Sequence, residues 1–283
     1  MKAYIDGARE ILENGTWKPN RTGVRTKYIS GYMLSHKMAE GFPLLTTKKM
    51  NLQNIAVELE FFIRGLTRKD WLQARDCHIW DPWCSPREVT YGNDEETKKK
   101  MHDCLELGPI YGSMWRYWPA PMKAFDTYID QFDNVVEMLQ KNPLDRRMVV
   151  SAWNPEYLDE MALPPCHFAW QVISDGEKLD LIWDQRSCDY AVGVPYNLAQ
   201  YALLLLLLAK HAGLVPNKVV GMLHDVHLYE DQIDLMMTQV ERVPYFLPLL
   251  TLTHNGNIYD WTYDQIYLSG YRYHPFIKYP VAV

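Results

Sequence analysis

The stretch YALLLLLLAK, residues 201 to 210, constrains the fold more than any other part of this chain. Its apolar run, Ala202 to Ala209, is eight residues long and stops at Lys210, far too short to cross a bilayer. A helix that is apolar all round must be enclosed by other elements on every side. The sequence therefore predicts a long core helix that begins after Pro195, with Asn197 near its start and Gly213 at its end.

Further elements are needed to enclose it. Met1 to Glu13 reads as an amphipathic helix stopped near Asn14-Gly15, and Asn51 to Arg64 as a second that ends at Gly65. Both are expected to cover one face of a sheet. Met148 to Trp153, His167 to Ser174 and Leu179 to Asp184 have β-branched, aromatic and partly alternating patterns, and Asp175-Gly176 predicts a hairpin between the last two. Residues 84 to 107 are the most charged stretch, expected as a surface insertion of unassigned structure. Without a repeat, low-complexity tract or linker, residues 1–283 read as one α+β domain.

Composition removes several classes of function. Hydrophobic residues at 48% and aromatics at 13% exclude a disordered chain. A net charge of -6 gives no basic footprint for a nucleic-acid polymer, although a few local arginines suffice for a small anion. Five cysteines without CxxC spacing form no disulfide framework, and MKAYIDGAREILENG has no apolar signal core. The expected compartment is a reducing cytoplasm, that of the host if the chain is virus-encoded. Cys77, His78, Cys84, His102 and Cys104 match no standard zinc spacing, so no metal is expected.

The candidate chemistry centres on LPPCHFAW, residues 163 to 170. A lone cysteine is ordinarily an inert buried residue. Here Pro164 and Pro165 deny helix and set Cys166 on a stiff bend. Arg21 lies in a loop, Arg146 and Arg147 precede a strand, and Arg186 stands in the polar cluster Gln185-Arg186-Ser187 with Asp189. Singly, each reads as a solvated charge or a structural ion pair. Together they supply bidentate donors for a phosphate dianion, and their charge is expected to lower the Cys166 pKa. His227 and Tyr229 share a face if HDVHLY is a strand, where a sugar hydroxyl would find two partners.

These motifs together resemble the thymidylate synthase family along nearly the whole chain. The likeness runs through NRTG (20–23), GFPL (41–44), Glu58-Leu59, Ile79-Trp80-Asp81, GPIYG (108–112) and Asp145-Arg146-Arg147. It continues through ALPPCH (162–167), QRSCD (185–189), GVPYN (193–197), His227-Leu228-Tyr229 and the tail PVAV (280–283). The resemblance implies a large twisted mixed β-sheet covered by helices on one face, and a homodimer with the sheets packed back to back. It also implies an enzyme that acts on dUMP with 5,10-methylenetetrahydrofolate as co-substrate. Cys166 would add to C6 of the uracil and make C5 nucleophilic. Glu58 would manage protons through water, and Tyr111 would help remove the C5 proton. Arg21, Arg186 and Ser187 would hold the phosphate, and Arg146 and Arg147 would reach it from the partner subunit. Gln185 and Asp189 would also border the nucleotide. Asn197 would read the uracil edge, since an amide both donates to O4 and accepts from N3–H; its ordinary reading is a helix N-cap. His227 and Tyr229 would hold the deoxyribose. Trp80, Asp189, Val192, Gly193, Tyr196 and Val283 would line the folate side and exclude water.

Five positions depart from the family pattern: Asn51, Asp184, Tyr196, Gln200 and His224, the last three in place of Phe, Ser and Gly. They are expected around the second substrate and the water layer. What they put in question is the final step: hydride delivery giving dTMP and dihydrofolate, or water addition giving 5-hydroxymethyl-dUMP and tetrahydrofolate. An inactive RNA-binding or scaffolding member of the fold is the reading from another class.

Overall fold

The computed structural model describes residues 1–120 and 127–281. Its helices are α1 (Lys2–Asn14), α2 (Leu52–Ile63), α3 (Asp70–Gln73), α4 (Glu95–Asp103), α5 (Tyr111–Arg116), α6 (Gln131–Lys141), α7 (Gly193–Ala212) and α8 (Ile233–Val240). Its strands are β1 (Thr16–Lys18), β2 (Thr26–Lys37), β3 (Trp118–Pro119), β4 (Tyr128–Ile129), β5 (Val149–Ser151), β6 (His167–Ser174), β7 (Lys178–Asp189), β8 (Val215–Tyr229), β9 (Leu249–Leu252) and β10 (Ile266–Ser269).

Six strands form one mixed sheet in the order β1-β2-β8-β7-β6-β5. Every pairing is antiparallel except β7 with β8. A parallel pair needs a long crossover, and α7 supplies it. The leucine helix is as enclosed as its composition demands: Leu203, Leu204, Leu205, Leu207 and Leu208 are all fully buried. It begins at Gly193, earlier than expected, because a proline in the first helical turn loses no intrahelical bond. Asn197 therefore lies in the second turn, and the N-cap reading of it falls.

Helices α1 and α7 pack on one face of the sheet. The strands alternate accordingly. Leu34, Val150, Val172 and Leu223 are buried toward the helices, whereas their neighbours Met33, Val149, Ile173 and Met222 are exposed on the other face. Two glycines serve the sheet directly. Gly221 leaves room for the Trp183 ring, which a Cβ there would meet at 2.4 Å, and Gly31 takes a positive φ of 82° within β2.

Residues 84–107 are less detached than their charge suggests. The helix α4 exposes its lysines and acids, yet Cys84, Ser85, Met101 and Leu107 are buried. The anchor is Lys69, a fully buried amine that donates to the carbonyls of Asp81 (3.0 Å), Trp83 (2.9 Å) and Met101 (2.9 Å). Among the described residues, no helix is long and apolar enough to cross a membrane.

Candidate active site

Cys166 sits on the bend that leads into β6, and a side chain from β7 ties that bend down. The Arg186 guanidinium donates from Nε to the Pro165 carbonyl (3.0 Å) and from a terminal nitrogen to the Pro164 carbonyl (2.8 Å), while its backbone N–H donates to the Cys166 carbonyl (2.8 Å). Trp153 lies under the same guanidinium at 5.2 Å. Two residues after the cysteine, Phe168 makes a bulge between His167 and Ala169. An extra residue there re-aims the side chains at the strand start.

The backbone N–H of Cys166 donates to the Tyr111 hydroxyl (3.0 Å). The Tyr111 ring is stacked between Phe62 (4.9 Å) and His167 (4.2 Å), so its hydroxyl has little freedom. His167 bonds through Nδ1 to the Tyr201 hydroxyl (2.8 Å), and burial pushes its pKa down to about 3, so the ring is neutral. The family motif includes His167 with no role expected of it; its place against the Tyr111 ring appears only in three dimensions.

Trp80 is 6.1 Å from Tyr111, centroid to centroid, and its indole N–H donates to one oxygen of Glu58 (2.7 Å). The other carboxyl oxygen accepts from the Gln200 amide (2.8 Å). Burial raises the Glu58 pKa to about 7, and these two donors oppose the rise. A carboxyl that titrates near neutrality is suited to proton transfer.

The arginines act on Cys166 in the expected sense but lose to a larger effect. Burial pushes the thiol up, and the Arg186 and Arg21 charges only offset part of this. The prediction of a lowered pKa is thus corrected, since desolvation of a thiolate outweighs two partly solvated guanidinium groups. Arg21 has no ion pair among the described residues, and neither the Ser187 hydroxyl nor the Asn197 carboxamide has a hydrogen-bond partner there. Arg146 and Arg147 are not brought to Cys166: they precede the edge strand β5, where Arg147 folds back on Asp145 with contacts of 3.0 and 2.5 Å.

Several expected residues are already engaged within the protein. Gln185 accepts from the Trp183 indole (3.0 Å) and donates to the Ser187 carbonyl (3.1 Å), facing the core. Asp189 accepts the N–H groups of Ala191 (3.1 Å) and Val192 (3.0 Å), which fixes the entry into α7. His227 bonds to Asp225 through Nδ1 and stands edge-on to Tyr229 at 5.3 Å. Gln232 joins Asp189 to the Pro280 carbonyl (3.0 Å), which brings the C-terminal tail to the start of α7; Val283 lies outside the described residues.

The departures divide. Tyr196 sets its hydroxyl against the backbone of Asn51, which caps α2 by accepting the Asn54 N–H (3.2 Å). Gln200 reaches Glu58. Asp184 and His224, by contrast, lie on the exposed sheet face, 3.6 Å apart, with Phe168 against the imidazole. Strand alternation explains this: Trp183 and Gln185, on either side of Asp184, point into the core. Those two departures are therefore not in the water layer where they were expected. Of the cysteine and histidine cluster, His78 pairs with Asp81 (2.9 Å) and His102 with Asp103 (3.3 Å), and among the described residues no metal-binding group of three such side chains forms.

A thiol on a clamped bend, a buried carboxyl linked to it through Tyr111 and Trp80, and polar side chains without partners among the described residues agree with one comparison: a family model described as thymidylate synthase matches residues 2–283. The chain belongs to the thymidylate synthase family, whose chemistry is folate-dependent one-carbon transfer to C5 of dUMP.

Proposed function

We propose that this chain is a thymidylate synthase in activity, converting dUMP to dTMP with Cys166 as the nucleophile. The observation that carries this reading is the chain of contacts Cys166–Tyr111–Trp80–Glu58, which connects a thiol with a carboxyl that titrates near neutrality. C5 of uracil is a poor nucleophile until sulfur adds at C6 and places electron density on C5 and O4. Arg186 holds the bend so that the sulfur meets C6, and Glu58 moves protons through water. Asn197, whose carboxamide has no hydrogen-bond partner among the described residues, reads O4 and N3–H. Arg21, Arg186 and Ser187 take the phosphate, and His227 with Tyr229 takes the sugar.

The folate side fits this chain. Trp80 and Tyr196 offer flat aromatic surfaces, and a Cβ on Gly193 would meet nothing nearer than 3.7 Å, so the backbone at the first turn of α7 is not crowded. When bound, 5,10-methylenetetrahydrofolate supplies the one-carbon unit and the hydride. Trp80, Tyr111 and the C-terminal tail keep water out. The uncovered sheet face, with Met33, Met222, Val149 and Ile173, supports a back-to-back homodimer, which would bring Arg146 and Arg147 to the phosphate of the partner subunit.

Incubation with dUMP and 5,10-methylenetetrahydrofolate tests the reading. A methyl mass gain with dihydrofolate absorbance is expected. A hydroxymethyl gain without dihydrofolate would instead make the chain a dUMP hydroxymethylase, a reading that the polar head of Gln200 beside Glu58 favours; no change in dUMP would remove both. A further expected result concerns Asn197→Asp. A carboxylate cannot donate to O4, so turnover of dUMP should fall about 100-fold or more while dCMP becomes a substrate, read as tritium release from each C5-labelled nucleotide. An unchanged preference would remove Asn197 from base recognition.

A further inference from the structure

Gln200 is 3% exposed and stands on α7 one turn beyond Tyr196 and Asn197, on the same side of the helix. Its amide crosses to α2 and meets the Glu58 carboxyl oxygen that Trp80 leaves free. We propose that Gln200 is a positioning residue for Glu58, holding its carboxyl in one orientation and partnering it in both protonation states. This rests on the reading of Glu58 as the proton-handling group.

The argument comes from the donor and acceptor content of the two partners. An indole N–H only donates, so Trp80 serves a carboxyl oxygen and never a carboxyl proton. A carboxamide carries a donor on one side and an acceptor on the other. Gln200 donates to the carboxylate and, after a half-turn of its amide, accepts from the carboxylic acid. The other titratable groups that act on or feel Glu58 are Cys77, Tyr111, Tyr196 and Tyr201, all neutral near pH 7, and no cation among the described residues acts on it. With burial pushing the pKa to about 7, the donors from Gln200 and Trp80 are what keep the ionised form accessible. The serine that the family pattern has here is two atoms shorter; glutamine reaches the carboxyl directly.

Gln200→Met keeps the volume and removes the polar head. The test follows the Glu58 carboxyl by carbon-13 NMR in glutamate-labelled protein, assigned with Glu58→Gln, together with the pH profile of tritium release from C5-labelled dUMP. In Gln200→Met the Glu58 midpoint should rise by about one pH unit, the size expected for loss of a hydrogen bond to a charged group. Turnover near neutrality should fall about tenfold through kcat, with little change in the KM for dUMP. In Gln200→Glu, two adjacent carboxyls share one proton and the midpoint should rise further. That near-isosteric variant carries the test should the methionine variant fail to fold. An unmoved midpoint and pH profile in a folded variant overturn the proposal. The NMR titration requires no substrate, so a wild-type protein inert toward dUMP would sink the functional reading and leave this one to be decided separately.

Discussion

Cys166→Ala protein is expected to bind dUMP and to release no tritium from its C5-labelled form, a loss of at least about 10⁴-fold in rate. The size of the effect follows from the chemistry: without addition at C6 there is no enolate, and neither Glu58 nor Tyr111 can make C5 exchange its hydrogen. Binding should survive because the groups assigned to the nucleotide, Arg21, Arg186, Ser187 and Asn197, lie on other elements. Folding should survive as well, since the bend is held through backbone carbonyls of Pro164 and Pro165 and not through the sulfur. In the wild type, burial raises the thiol pKa, so tritium release per free enzyme and dUMP should climb as pH rises above neutral. Release that persists in the alanine variant would move the nucleophile elsewhere. Cys188 is a poor substitute: its thiol donates to the Gln185 carbonyl (3.4 Å), and burial pushes its pKa far upward.

Much of the framework was legible because it depends on local composition. Leucines on every side of α7 admit no solvent-exposed placement, and the paired prolines before Cys166 forbid helix whatever surrounds them. The long strands β2 and β8 were less visible. Glycines at 31 and 221 interrupt their patterns, and each glycine has its reason in a neighbouring strand or a turn of the backbone, as with the Trp183 ring over Gly221. Residues 84–107 gave no structure from sequence because they are tied to residues outside the segment: the Lys69 amine donates to the Met101 carbonyl, the Lys69 N–H to that of Leu105, and the Leu107 N–H to that of Thr67.

The site divides along the same line. The motifs singled out Cys166, Glu58, Tyr111 and the arginines through the family resemblance; in the structure Tyr111 contacts Cys166 directly, and Trp80 stands between Tyr111 and Glu58. The thiol pKa was misread because charges can be counted along a sequence whereas desolvation cannot. Asp184 and His224 were placed in the water layer on the strength of nearby motif residues, but adjacent residues on a strand face opposite ways. Gln200 and Glu58 are separated by 142 residues, and only the packing of α2 on α7 makes them partners.

Glu58→Gln should exchange activity for stability, and the sign of each change follows from one carboxyl. Activity should fall about 10²- to 10⁴-fold, the usual range for removing a positioned acid or base. Stability should change only where the carboxyl ionises. The folded pKa, about 7, lies above the ordinary 4.5, so the wild type is unpenalised below about pH 4.5 and loses stability as pH rises through 7. That loss is at most about 3 kcal/mol, less to the extent that water reaches the carboxyl. The glutamine variant has no such slope, so its unfolding free energy should match the wild type at pH 4.5 and exceed it at pH 8.5. The hydrogen bonds permit this: Trp80 donates to the new amide oxygen, and Gln200 turns its own oxygen to accept from the new amide nitrogen. Denaturant unfolding of both proteins at the two pH values reads the difference. Equal stability at pH 8.5 would mean that Glu58 is not strained by burial, and its assignment as the neutral-range proton carrier would fall with it.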